Sequence, residues 1–120
     1  MAVSVIPDSK ASYSGATVAK GSDIATGTID SNSCTRVGNI VTVSGRIHTM
    51  TNQDAGTHTY FVIPDGYRPS HQVRGFGYMS ITGVGWIPLL ASINTDGTVK
   101  MTYSSSQQCN QVGFSVTYAI

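Results

Sequence analysis

Side chains suited to acid–base, thiol or metal chemistry are few here: six aspartates, three histidines and two cysteines in 120 residues, with no glutamate. A paired-carboxylate mechanism would have to draw on Asp8, Asp23, Asp30, Asp54, Asp65 and Asp96. The best pair for glycoside cleavage is Asp54 with Asp65 or Asp96. All three lie in turn-like segments, where aspartate ordinarily bonds its own backbone. Many serines accompany His48, His58 and His71, but no G-x-S-x-G elbow marks one of them as a nucleophile. No H-x-H or H-x-x-x-H spacing exists, so His48 and His58 with Asp54 between them read as sheet residues around a loop. Cys34 and Cys109 lack the C-x-x-C spacing of a structural zinc site. They read as two unpaired thiols, with a disulfide between them as the alternative. The expectation is no catalysis, no metal and no cofactor.

Recognition chemistry suits the composition better. Charged residues make up 11% and the formal net charge is +1. Lysine and arginine are scattered, which argues against nucleic acid as a partner. No apolar run reaches the ~20 residues of a membrane-spanning helix, so membrane insertion is not expected. A sugar offers apolar C–H faces and outward hydroxyls, which call for an aromatic platform beside amides, hydroxyls or a carboxylate. Candidate platforms are Trp86, Tyr78 and Tyr103. Candidate polar neighbours are Asn52, Gln53 and Asp54 in one loop, and Gln107, Gln108 and Asn110 in another.

The elements that must position these residues are strands. Leucine occurs only at 89 and 90, while Thr, Ser, Val and Gly dominate. Helix formers are therefore scarce and β-branched residues abundant. Residues 1–36 are weakly patterned and read as a linker, with a strand at 2–6, loop at 12–15 and an edge strand at 24–29. From 37 the alternation sharpens: Val37, Val41, Val43, Gly45 and Ile47 share one face. Strands follow at 57–63, 72–82, 86–93, 99–103 and 112–120. Turns sit at 64–70, 83–85 and 96–97, where Asp96-Gly97 is a strong hairpin signal. Turns every 8–12 residues predict an all-β fold, an antiparallel jelly-roll-like β-sandwich over 37–120.

Tyr60, Val62, Phe76 and Leu90, with Tyr78 and Trp86, fall on the strand faces opposite the expected core. One small sandwich has one interior, so Tyr60, Val62, Phe76 and Leu90 are expected to form an oligomer contact.

Two turn segments carry a resemblance. Residues 61–70 (Phe-Val-Ile-Pro-Asp-Gly-Tyr-Arg-Pro-Ser) and 91–100 (Ala-Ser-Ile-Asn-Thr-Asp-Gly-Thr-Val-Lys), with the opening strand N-x-V-x-V-S-G-x-I at 39–47, resemble the C-terminal head domain of tailed-bacteriophage tail-fibre receptor-binding proteins. The resemblance covers about residues 38–120. It implies a homotrimer in the virion, made in the bacterial cytoplasm and joined to the rest of the fibre and baseplate. It implies adsorption to a host cell-surface glycan or polysaccharide without catalysis. Receptor residues in that family vary, so none is carried over. Rival readings are a structural fibre cap, an animal-virus fibre head binding protein or sialic acid, and a polysaccharide-cleaving enzyme.

Overall fold

A computed structural model describes residues 14–24, 26–53, 55–104 and 108–120. Among them are nine strands and no helix: β1 Ser14–Ala16, β2 Ala19–Lys20, β3 Thr28–Val37, β4 Ile40–Gln53, β5 Gly56–Val62, β6 Val73–Ile81, β7 Gly85–Ile93, β8 Thr98–Tyr103 and β9 Cys109–Ala119. Every ladder is antiparallel, and the strand order is β1-β3-β4-β9-β6-β7-β8-β5-β2. The chain is all-β, as its composition predicts.

The two packed layers belong to one curled sheet. β5 and β9 are four places apart in the strand order, roughly 19 Å in a flat sheet at the usual strand spacing. Yet the Phe61 and Phe114 rings have centroids 4.7 Å apart. Between them lies Gly45 of β4, where a Cβ would stand 3.0 Å from Phe61 and 3.1 Å from Phe114. The absent side chain lets the layers meet over this residue. Val41, Val43, Ile47, Met79, Ile93, Val99, Met101 and Val112 complete the buried centre.

The N-terminal segment is built into this sheet, and the boundary drawn between 36 and 37 falls inside β3. Thr28–Val37 pairs along its length with β4, with a shift between Ile29 and Ser31 that sets Asp30 outside the ladder. The edge strand expected at 24–29 is displaced accordingly, and Ser14 and Gly15, read as loop, lie in β1. The strand proposed at 2–6 lies outside the described residues. β1 pairs with β3 at one side of the sheet, and β2 pairs with β5 at the other. Only Thr17 and Val18 separate them. Residues 14–20 therefore stitch the two sides of the curled sheet together. The Val18 N–H donates to Asn32 Oδ1 (3.3 Å) and the Gly21 N–H to the Tyr60 carbonyl (2.8 Å). Asp23 Oδ2 accepts from the Thr59 N–H at 2.8 Å, so the outer side of β5 is satisfied by a carboxylate.

The two turn segments that carry the resemblance touch each other. In the 94–97 turn, Gly97 N–H donates to the Asn94 carbonyl, and Asp96 Oδ1 accepts from the Thr98 N–H (3.0 Å) and hydroxyl (2.7 Å). These bonds hold the Asp96 carboxyl below its ordinary value. Ile63 N–H then donates to the Gly97 carbonyl (2.8 Å), and Arg68 Nε to the Ile63 carbonyl (2.8 Å). Arg36 reaches the Gly66 carbonyl, and the Tyr118 hydroxyl donates to the Tyr67 carbonyl. Gly97 has φ +89°, and a Cβ there would sit 2.4 Å from the Ile63 carbonyl oxygen. Gly97→Ala is therefore expected to destabilise by about 1–3 kcal/mol, read as a lower denaturation midpoint in urea.

Both cysteines are buried and free. Cys34 pairs across from Val43, and Cys109 from Gln53, ten residues further along β4. That separation, on the order of 30 Å along an extended strand, rules out a bridge between them within one chain. Burial pushes both thiols up to about 11 from an ordinary 9.0. Because the folded values exceed the unfolded ones, their contribution to stability is complete below pH 9.0 and is lost as pH climbs toward about 11. The melting temperature is expected to hold at neutral pH and drop across that window. Iodoacetamide should label neither thiol at neutral pH until urea opens the core.

Candidate functional site

Outward-facing residues of β6 and β7 assemble the most distinctive surface. Residues 76 and 78 alternate with buried Gly77 and Met79, and residues 86, 88 and 90 alternate with the inward Ile87 and Leu89. Register sets Phe76 opposite Leu90, Tyr78 opposite Pro88, and Ser80 opposite Trp86. Phe76, Trp86 and Leu90 are 57%, 59% and 64% exposed. The Tyr78 ring lies between the other two, 5.9 Å from Phe76 and 5.6 Å from Trp86 by centroid. Three rings and a leucine thus form one contiguous strip.

Gly113 sets the tilt of the central ring. It faces Tyr78 across the β6–β9 ladder, and a Cβ there would stand 2.1 Å from the Tyr78 Cζ and hydroxyl. The phenol leans over bare backbone toward β4, where Arg46 pairs with Gly113. Arg46 forms a two-pronged pair with Asp30, Nε–Oδ1 3.0 Å and Nη2–Oδ2 2.7 Å. His48 Nε2 stands 3.4 Å from the same Oδ2. The Arg46 hydrogen bond holds the Asp30 carboxyl below its ordinary value, and Asp30 in turn raises Arg46. Around them β9 and β4 present Ser115, Thr117, Ser44 and Thr42, and the two threonine hydroxyls lie 3.3 Å apart.

One hydroxyl–imidazole–carboxylate chain does occur: Thr49 Oγ1 lies 2.8 Å from His48 Nδ1, and His48 contacts Asp30. Thr49 has φ +61°, an unusual conformation for a β-branched residue, and it marks where β4 breaks register with β9. Arg46 occupies both oxygens of Asp30, and the His48 and Asp30 side chains are 39% and 28% exposed. In that setting Asp30 orients Arg46 more than it activates His48.

The strip brings together Trp86, Tyr78, Phe76 and Leu90, which the sequence divided between ligand platform and subunit contact. Two expectations are corrected. Tyr60 is fully buried and cannot form a subunit contact. A bulge in β5 explains it: Thr59 pairs with Lys100 and Phe61 with Val99, leaving Tyr60 as the extra residue. Thr59, Tyr60 and Phe61 are consequently all buried, against strict alternation. Tyr103 is only 3% exposed and cannot be a sugar platform. Its hydroxyl accepts the Cys109 N–H at 3.1 Å, closing the base of the loop that joins β8 to β9. Val62 is half-buried at the β2 pairing, away from the strip. Asn110 is tied to Thr82 Oγ1 (3.2 Å), and the Gln108 carbonyl accepts from the Thr82 N–H. Asn52 and Gln53 belong to the end of β4, but their side chains, with Asp54 and Gln107, lie outside the described residues. Among the described residues no three His, Cys, Asp or Glu side chains gather as metal ligands. Sequence reasoning missed Arg46, Asp30 and Gly113, because their meaning depends on strand pairing.

No family model matches this chain, and no curated protein matches it either.

Proposed function

We propose that this chain is the head domain of a bacteriophage tail-fibre receptor-binding protein, which binds a host cell-surface glycan without catalysis and acts at the tip of the virion. The observation that carries the binding is the strip of Phe76, Tyr78 and Trp86, presented side by side on a sheet face lined with hydroxyls. Aromatic faces stack on the C–H faces of pyranose rings, while serine, threonine and Arg46 offer hydrogen bonds at the margin. The phage context rests on the resemblance of residues 39–47, 61–70 and 91–100. The contact of the last two segments in space supports treating them as one motif. Repetition of a weak site over a homotrimer and over several fibres would supply avidity.

A second reading has its own observation. Phe76 and Leu90 are cross-strand partners with no polar tip, and both are largely exposed. Such a pair suits burial against another copy in a homotrimer, the strip then serving as a fibre-assembly surface. Light scattering and a glycan array on Trp86→Ala separate the readings. Glycan recognition predicts lost array binding at unchanged mass. Assembly predicts a fall to the one-chain mass of 12.6 kDa. Wild-type behaviour in both measurements would remove the strip from either role.

A further inference from the structure

Beyond the strip, on the far side of β7, the sheet splits. β7 and β8 share a ladder only at Ser92–Lys100 and Ile93–Val99. Past those pairs the two strands have no ladder in common among the described residues. Pro88, which has no N–H to offer a neighbouring strand, stands in the part of β7 that leaves β8. The split opens a groove on the outer surface, floored by Leu89 and Met101 and walled by residues of β6, β7, β8 and β5. Leu90 belongs to both surfaces: it faces Phe76 in the strip and lines the groove. A chain-like ligand lying along the strip would run directly into it.

Charge distinguishes the groove from the strip. Arg74 pairs across from Ser92, and Ser92 from Lys100, so the two cations stand on one transverse row with a hydroxyl between them. Two strand spacings set their backbones roughly 10 Å apart. Neither forms an ion pair at contact distance or donates a hydrogen bond among the described residues. Asp96, the one carboxylate of the lining, is bonded to Thr98 within its own turn, and nearby Lys100 also lowers it. The amides of Gln72 and Asn94 are joined at 2.7 Å along the same wall. The groove therefore offers two cations and a set of fixed hydroxyl and amide groups beside an apolar floor.

We propose that this groove binds the carboxylate of an acidic saccharide, a uronic-acid residue lying further along the chain from the residue stacked on Trp86, roughly 20 Å away at the six-residue spacing of Trp86 and Ser92 on β7. This deepens the glycan reading of the strip and rests on it. Arg74 and Lys100 clasp the carboxylate from opposite walls, Ser92 donates to it between them, and Leu90 supports the ring passing from strip to groove. A uronate fits better than a simple anion because the groove adjoins the aromatic strip and has an apolar floor of Leu89 and Met101.

The test is titration calorimetry with oligogalacturonide hexamers and with the same hexamers after carboxyl reduction. Dextran sulfate and inorganic phosphate serve as the arms for other anion sources. The native hexamer should bind, with the carboxyl-reduced form at least tenfold weaker. Arg74→Gln and Lys100→Gln should each cost about tenfold for the native hexamer and nothing for the reduced one. Equal binding of both hexamers would overturn the groove assignment and leave the strip intact. Binding that survives Trp86→Ala but is lost in Arg74→Gln would keep the groove and remove the strip. Binding of dextran sulfate or phosphate as tight as that of the uronate would mean simple ion exchange and overturn the proposal. Binding of none of these probes would also overturn it.

Discussion

Phe61→Ala will lower the unfolding free energy by about 3–5 kcal/mol, a large share of the 5–15 kcal/mol typical of a domain this size. Phe61 is fully buried, lies tilted against Phe114 with ring centroids 4.7 Å apart and covers Gly45, so truncation removes a central contact between the curled layers. The cavity has little means of collapse, because Gly45 has no side chain to move into it. Urea denaturation reads the cost as a lower midpoint. Phe76→Ala on the outer face is the matched comparison. With its ring 57% exposed, it should change the unfolding free energy by less than about 0.5 kcal/mol. A much larger cost at Phe76 would mean that another molecule covers it in solution, which favours assembly over glycan recognition.

Gly113→Ala will disable the strip without touching any of its rings. The new Cβ would fall where the end of the Tyr78 ring now lies. The backbone of β9 is fixed by ladders to β4 and β6, so the phenol must swing away instead. Losing the middle ring separates Phe76 from Trp86, and glycan affinity should fall about tenfold, equivalent to ~1.4 kcal/mol. The melting temperature should change little, since the outward-facing end of a half-buried side chain absorbs the clash. A double-mutant cycle checks the route. Tyr78→Ala should reproduce the loss, and adding Gly113→Ala to it should do nothing more. An additive second loss would show that the glycine acts by another path.

Much of the central sheet was legible because its strands alternate cleanly. Val41, Val43 and Ile47 on β4, Met79 and Ile81 on β6, and Phe114, Val116 and Tyr118 on β9 all face inward as the period of two requires. The same rule placed Phe76, Tyr78, Trp86 and Leu90 outside. It failed at Tyr60, where one extra residue in β5 turns two neighbours inward, and no residue type announces such a bulge. β3 was invisible because its Ser, Asn, Thr and Arg residues give no hydrophobic rhythm; its pairing with β4 supplies the order that its own residues do not. Tyr103 misleads as a platform because its phenol suits a sugar, yet it shares the alternating face of Val99 and Met101, which points inward, and its hydroxyl anchors backbone. The Arg46–Asp30 pair and the empty space over Gly113 arise from strands far apart in sequence, so spacing along the chain carries no trace of them.

The short stitch of residues 14–20 bears on how the domain would fail. Cutting or peeling that segment removes little of the greasy centre, so the molecule would keep most of its shape. It would, however, uncover unsatisfied backbone along β3 and β5 at once, two templates on which further strands can dock. Damage at this seam would therefore be seen first as turbidity, with chains adding to one another laterally, well before any sign of melting.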